Sequence, residues 1–365
     1  MTATDHDTAI TAATTQLLVW LRSFEALQED IDFRLAVAAQ ARLRAASADL
    51  LPGLSATLAA LAPPAELKSA HRQLLAVVDY WTLAVRRFLE GSGQNFGQAF
   101  IDSRRALCEG LFLAYALRKH YPVLQSYWLS DDAIVDVATL DVRVPGIEVP
   151  LGAQQLPATD AHAPYALYVP ESYTPARAWP LIVGLHGAYG HGHEYLWTWL
   201  RAARSRGYLV LAPKASQSTW SILNPAVDIG SIRAMLDEVG ARYTLDPRRV
   251  YVSGLSDGGT FAYLLGLSCP SLFAGVAPIA GVLHPVADAL LRQKQGIELP
   301  LFVVHGARDW IFDARAARSN CALLEKLGYA ITYTELPDWG HAYTNSINER
   351  LVLPWFESLV AESPS

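Results

Sequence analysis

The sequence predicts an α/β fold, a mostly parallel sheet with helices on both faces, preceded by an all-helical domain. Three observations predict it. Beyond about residue 131, short β-branched or apolar runs alternate with segments of helical period, as in a parallel sheet covered on both sides. Before residue 131, apolar residues recur only at helix intervals. The strand-like run 249–253 passes through Gly254-Leu255-Ser256-Asp257-Gly258 directly into the helix-like 260–265, a sharp strand-to-helix turn.

Residues 1–130 read as a small antiparallel bundle of three to five helices. Leu17, Leu21, Phe24, Ile31, Leu35 and Ala38 mark one apolar stripe. Leu67, His71, Leu74, Val78, Trp81, Val85 and Phe88 mark a second, and Phe100, Leu107, Leu111 and Ala114 a third. Pro63-Pro64 and Gly91-Ser92-Gly93 separate them, and Pro52 suits the start of a short helix. His71 lies on a stripe and is expected in the core rather than as a ligand. With no enzyme motif, this domain is expected to form a homodimer, to cover the mouth of a site as a lid, or to bind a partner.

Residues 131–365 form the second domain. Strands are predicted at 134–143, 164–170, 180–186, 207–212, 249–253, 274–279, 300–305 and 331–336. Helices are predicted at 193–206, 226–243, 257–268, 313–327 and 345–362. The proline-bounded stretch 150–164 reads as an irregular connection.

The chemistry gathers at the ends of these strands. In Gly-x-Ser-x-Gly the serine is presented on a tight turn, and Gly254 and Gly258 remove Cβ atoms that would collide there. Ser256 then sits at a helix N-terminus, whose free N–H groups favour a developing oxyanion. A serine hydroxyl is a weak nucleophile without a base. Asp309 follows the strand at 300–305 and His341 follows the strand at 331–336, so the order is Ser256, Asp309, His341, that of α/β-hydrolases. Upstream, the strand at 180–186 ends in His186-Gly187-Ala188. The backbone N–H groups of Ala188 and Asp257 are the expected oxyanion donors, while His186 is expected to be structural.

The segments Tyr165-Ala166-Leu167-Tyr168-Val169-Pro170, Leu185-His186-Gly187, Gly254-Leu255-Ser256, His305-Gly306-Ala307-Arg308-Asp309 and the run from Glu335 through His341 to Tyr343 resemble bacterial feruloyl esterases and polyhydroxybutyrate depolymerase-like esterases of the α/β-hydrolase superfamily. The resemblance spans roughly 135–365 and implies acyl-ester hydrolysis without fixing either half of the ester. Two departures stand out. Asp257 puts a charge where small or amide residues are common, and Asp313 stands where such loops often have proline, leaving a second candidate for the acid.

Composition narrows the partners. The chain of 365 residues has 52% apolar and 18% charged residues, enough for two cores. The net charge of −6 belongs to the second domain, because residues 1–130 hold 12 basic and 12 acidic groups. Neither part has a basic stripe, which argues against nucleic acid. There is no apolar run long enough for a membrane span, and a polar, acidic start without a secretory pattern suggests the cytoplasm. Cys108, Cys269 and Cys321 fit free thiols in a reducing compartment. His191-Gly192-His193-Glu194 lacks further ligands to complete a metal site, and the triad chemistry needs no cofactor or metal. Aromatic residues beside the site, chiefly Tyr189, Trp220 and Trp310, are candidate walls of a substrate pocket, and 216–220 is a candidate substrate-binding loop.

The expected function is that of a serine carboxylester hydrolase acting through an acyl-enzyme on small or medium acyl or aryl esters, feruloyl-type esters included. Two other readings stay open: a serine peptidase with the same triad, and a catalytically idle hydrolase domain whose bundle recruits a partner.

Overall fold

Strands that are covered on both faces must be apolar along their whole length, and five runs of this chain meet that demand. A computed structural model describes residues 3–130, 140 and 146–361. Its strands are β1 (Gly152–Leu156), β2 (Tyr165–Val169), β3 (Trp179–Leu185), β4 (Leu209–Pro213), β5 (Leu245–Leu255), β6 (Gly275–Ile279), β7 (Leu301–Gly306) and β8 (Ile331–Leu336). Every residue of β2, β3, β4, β6 and β7 is buried. The strands form one sheet in the order β1-β2-β4-β3-β5-β6-β7-β8. Only β2 runs against its neighbours, and β3 through β8 are parallel. With its covering helices, this is the α/β-hydrolase fold.

The chain forms two compact units, Met1–Asp131 and Asp132–Ser365. The first is entirely helical among the described residues, with α-helices Ala3–Glu29, Ala36–Ser47, Leu50–Ala60, Lys68–Glu90, Phe96–Leu117 and Pro122–Tyr127. Six helices exceed the three to five expected. The first apolar stripe does not run through as one helix. Asp32 accepts a hydrogen bond from the Arg34 N–H and starts a new turn, which resets the helical phase. Leu35 and Ala38 consequently face solvent, and Ala39 is the buried residue. The second stripe holds from His71 to Phe88, while Leu67 is half-buried in the 3-10 turn Ala65–Leu67 that precedes the helix. His71 is buried with its Nε2 2.9 Å from the Leu58 carbonyl, and Trp81 stacks on Trp20 at 5.5 Å.

Three further expectations need correction. β1 lies inside the stretch read as irregular, because its prolines flank rather than interrupt residues 152–156, and polar Gln154 and Gln155 are tolerated at a sheet edge. The helix expected over 193–206 is split into Gly192–Tyr195, a 3-10 turn Leu196–Thr198 and Leu200–Arg206. The last helix contains a π turn, Asn348–Val352, between Asn345–Ile347 and Leu353–Ala361. The strand expected at 134–143 lies, apart from Leu140, outside the described residues. Cys108, Cys269 and Cys321 are free thiols, and among the described residues no helix is long and apolar enough to cross a membrane.

The bundle core offers a test. A Cβ on Gly110 would fall 2.3 Å from Trp81 Nε1, and the stacked indoles leave the ring nowhere to go. Gly110→Ala is expected to destabilise the chain by about 1–3 kcal/mol through overpacking. Urea unfolding would measure it, with Gly53→Ala, where the added methyl meets nothing within 4 Å, as the comparison.

Candidate active site

The site begins where β5 stops. Ser256 follows Leu255 at φ 60° and ψ −122° and caps the helix Asp257–Ser268. A non-glycine residue at positive φ costs of order 1–3 kcal/mol and persists only where its surroundings hold it. Here its N–H donates to the Ile279 carbonyl (2.9 Å) and its carbonyl accepts from the Thr260 N–H (2.9 Å). The flanking glycines make the turn sterically feasible. A Cβ on Gly254 would lie 2.4 Å from the Gly258 carbonyl oxygen, and one on Gly258 would lie 2.3 Å from that of Leu185. Ser256 is therefore fixed at the C-terminal edge of the sheet, next to the loop after β3. A Cβ built on Gly187 in that loop would come within 3.4 Å of the Ser256 Cβ.

Two backbone donors stand at this point. Among the described residues no acceptor meets the N–H of Ala188 or of Asp257. The next peptide, at Tyr189, has φ 59°, and its N–H donates to the Ser218 carbonyl at 2.7 Å. His186 is structural, as expected: its Nδ1 donates to the Gly187 carbonyl (2.6 Å) and its Nε2 accepts from the Ala215 N–H (3.1 Å). Complete burial, aided by Lys214 and His191 nearby and opposed by the Gly187 carbonyl, pushes its pKa down to about 3.

On the other side of β6, Asp309 and His341 meet. The Nδ1 of His341 donates to Asp309 Oδ2 at 2.8 Å. Asp309 Oδ1 accepts from the N–H groups of Ile311 and Phe312, each at 2.8 Å. Burial disfavours the charge on this carboxylate, yet the His341 hydrogen bond and the two backbone donors hold its pKa below the ordinary value. With Nδ1 as donor, the lone pair of a neutral His341 is left on Nε2, the tautomer a general base requires. Gly306 allows the approach, since a Cβ there would lie 2.3 Å from the Trp339 carbonyl oxygen in the loop that carries His341. Asp313, the second candidate acid, is exposed. It caps the helix Ala314–Leu327 by accepting from the Arg315 N–H and pairs with the Arg315 guanidinium at 2.6 Å.

The candidate pocket residues separate. Tyr189 is exposed and Trp310 half-buried, its ring 6.2 Å from that of His341. Trp220 does not form an open wall. It is buried, stacked on Phe261 at 5.1 Å, and its indole N–H donates to the His186 carbonyl at 2.7 Å, so it supports the loop from beneath. Two residues were missed. Buried His305 donates from Nε2 to the Phe312 carbonyl at 2.7 Å, and the same nitrogen lies 3.3 Å from Asp309 Oδ2. Its only sequence signal is a histidine four residues before Asp309. Thr219 donates to Asp257 Oδ2 at 2.5 Å, and nothing in its local sequence announces that. His193 Nε2 is 3.9 Å from Glu194, and among the described residues no group of three or more His, Cys, Asp or Glu is placed to hold a metal.

Residues 163–297 match the Esterase PHB depolymerase family. The matched segment contains Ser256 and the Ala188 loop, while Asp309 and His341 lie beyond it. It is similar to the poly(3-hydroxyalkanoate) depolymerase C of Paucimonas lemoignei, at 33% identity over 32% of this chain and 31% of that protein. It is also similar to the bifunctional acetylxylan esterase/xylanase XynS20E of Neocallimastix patriciarum, at 29% identity over 39% of this chain and 21% of that protein. The chain thus spans less than a third of the length of either relative. A solved thermostable esterase aligns with 56% of this chain and 62% of its own at 22% identity, with a TM-score of 0.48.

The Asp309–His341 pair gives a pH test. The folded pKa of Asp309 lies below its ordinary 3.8, so its stabilising contribution is complete above about pH 4 and fades as pH falls through the lowered folded value. Urea unfolding between neutral pH and pH 3 should show wild type and Asp309→Asn far apart at neutral pH and converging on acidification. Asp313→Asn, whose ion pair is exposed, is expected to change stability little at any pH.

Proposed function

We propose that the chain is a serine carboxylester hydrolase, with Ser256 as nucleophile, His341 as base, Asp309 as the acid that orients it, and the N–H groups of Ala188 and Asp257 as oxyanion hole. The observation that carries this reading is the 2.8 Å Asp309–His341 hydrogen bond, on the same sheet edge as a serine held at positive φ beside two N–H groups that meet no acceptor among the described residues. Ser256 Oγ attacks the ester carbonyl carbon as His341 Nε2 takes the hydroxyl proton. The carbonyl electrons move onto an oxygen that the two N–H groups stabilise. Collapse breaks the bond to the alcohol, which leaves with the proton from His341, and water then repeats the sequence to release the acid.

Small or medium acyl and aryl esters are the proposed substrates. The acetylxylan esterase named above supports the first, and similarity to the feruloyl esterase C of Emericella nidulans, at 26% identity over 34% of this chain, supports the hydroxycinnamoyl case. Exposed Tyr189 and half-buried Trp310 supply aromatic surface for either group. For the helical unit, Met1–Asp131, we propose a role in dimerisation or in covering the site. Sedimentation of the full chain tests the first, and a monomer at all concentrations excludes it.

A series of p-nitrophenyl esters of increasing acyl length, with methyl ferulate, tests the activity. Ser256→Ala and His341→Ala are expected to lower kcat roughly ten-thousandfold or more. Asp309→Asn is expected to lower it far more than Asp313→Asn. Wild-type turnover that survives Ser256→Ala, or none at all from a folded chain, overturns the proposal; cleavage confined to amides would move the substrate class to peptides.

A further inference from the structure

Asp228 lies in the first turn of the helix Ala226–Arg242 and is 1% exposed, yet the proposed chemistry does not use it. Both of its oxygens are occupied. Oδ1 accepts from the N–H (2.8 Å) and the hydroxyl (2.5 Å) of Ser216. Oδ2 accepts from the N–H (2.7 Å) and the hydroxyl (2.5 Å) of Ser221. Burial opposes the charge, but the serine hydroxyls and backbone N–H groups together hold the carboxyl below its ordinary pKa. A loop of six residues is thereby pinned at both ends to one buried anion.

Between the pins the loop reaches the site three times. The Ser218 carbonyl accepts from the Tyr189 N–H at 2.7 Å, the Thr219 hydroxyl donates to Asp257 Oδ2 at 2.5 Å, and the Trp220 indole donates to the His186 carbonyl at 2.7 Å. One bond falls on the residue after Ala188, which it holds at φ 59°, and one on the side chain of Asp257. Both backbone segments that offer an oxyanion donor are therefore tied to the same loop. The tie at Asp257 has a second effect: it fixes the position of a carboxylate that would otherwise swing freely beside a developing negative charge.

We propose that Asp228 is a positioning residue for the oxyanion hole and acts through the loop 216–221. The proposal rests on the esterase reading above. Oxyanion donors work at 2.7–3.1 Å from the charged oxygen, a position reached only in the transition state. Loosening the loop should therefore lower kcat while leaving ground-state binding almost unchanged. Asp228→Asn keeps one accepting oxygen and the shape of the side chain but replaces the other acceptor by a donor, so the backbone N–H of one serine loses its acceptor and that serine's hydroxyl must turn to accept instead.

The test is steady-state kinetics on the full chain with a p-nitrophenyl ester, for Asp228→Asn, Thr219→Val and Thr219→Ser. Asp228→Asn is expected to lower kcat roughly tenfold or more with KM within about twofold. Thr219→Val should produce a smaller fall of the same kind, and Thr219→Ser, which restores the hydroxyl, should recover most of it. A merely structural role predicts neither the split between kcat and KM nor the rescue. Wild-type kcat in folded Asp228→Asn and Thr219→Val overturns the proposal, as does a loss that appears in KM alone. If wild type shows no Ser256-dependent turnover, the esterase reading itself falls and this proposal with it. The Ser256→Ala control separates that outcome from the others.

Discussion

Backbone meets backbone around the turn after β5 at distances that leave no room for a methyl group. A Cβ on Gly259 would lie 2.7 Å from the Ile279 carbonyl oxygen, and one on Gly281 2.5 Å from the Gly259 carbonyl carbon, in addition to the contacts of Gly254 and Gly258. The helix Asp257–Ser268 can therefore start directly against the ends of β3, β5 and β6. That approach leaves the serine one available path, with positive φ, and the surrounding hydrogen bonds hold it there. The loop after β3 comes near the serine because the same helix packs beneath it. Loosening this junction would displace Ser256 and the N–H groups of Ala188 and Asp257 together.

The two flanks of the junction are secured by different means. On the β7 and β8 side, Gly306 lets one loop lie across a strand end, and Asp309 gathers the His341 imidazole and two backbone N–H groups, with His305 alongside. On the β4 side a buried carboxylate collects four donors from two serines. Each arrangement places one carboxylate where several N–H or O–H groups converge. A buried anion so satisfied defines loop geometry sharply, because removing any donor leaves a charged acceptor partly unpaired.

What could be read in the sequence follows from how local each signal is. The central strands are legible because burial on both faces demands continuous apolar runs, and the elbow because its glycines and serine lie within five residues. β1 was not legible, since an edge strand tolerates Gln154 and Gln155. The break at Asp32 was hidden by leucine and alanine residues that continue the stripe by coincidence of spacing. Asp309 is the acid the sequence order favours, and Asp313, four residues on, is the alternative that the sequence leaves open. Only the hydrogen bond to His341 on one side and the pairing with Arg315 on the other separate them. Trp220 and Asp228 depend on direction in space: an aromatic residue beside a site can line it or underpin it, and an acidic residue early in a helix ordinarily reads as a surface charge.

The uncharged state of His186 has a consequence for the field beside Ser256. An ordinary imidazole changes charge near neutrality. In this one, one residue before the turn that leads to Ala188, Nε2 accepts from the Ala215 N–H and burial pushes the pKa down to about 3. Across the range in which most enzymes work, acidity changes therefore leave the electrostatic potential from this ring constant. The ring acts there as a fixed dipole.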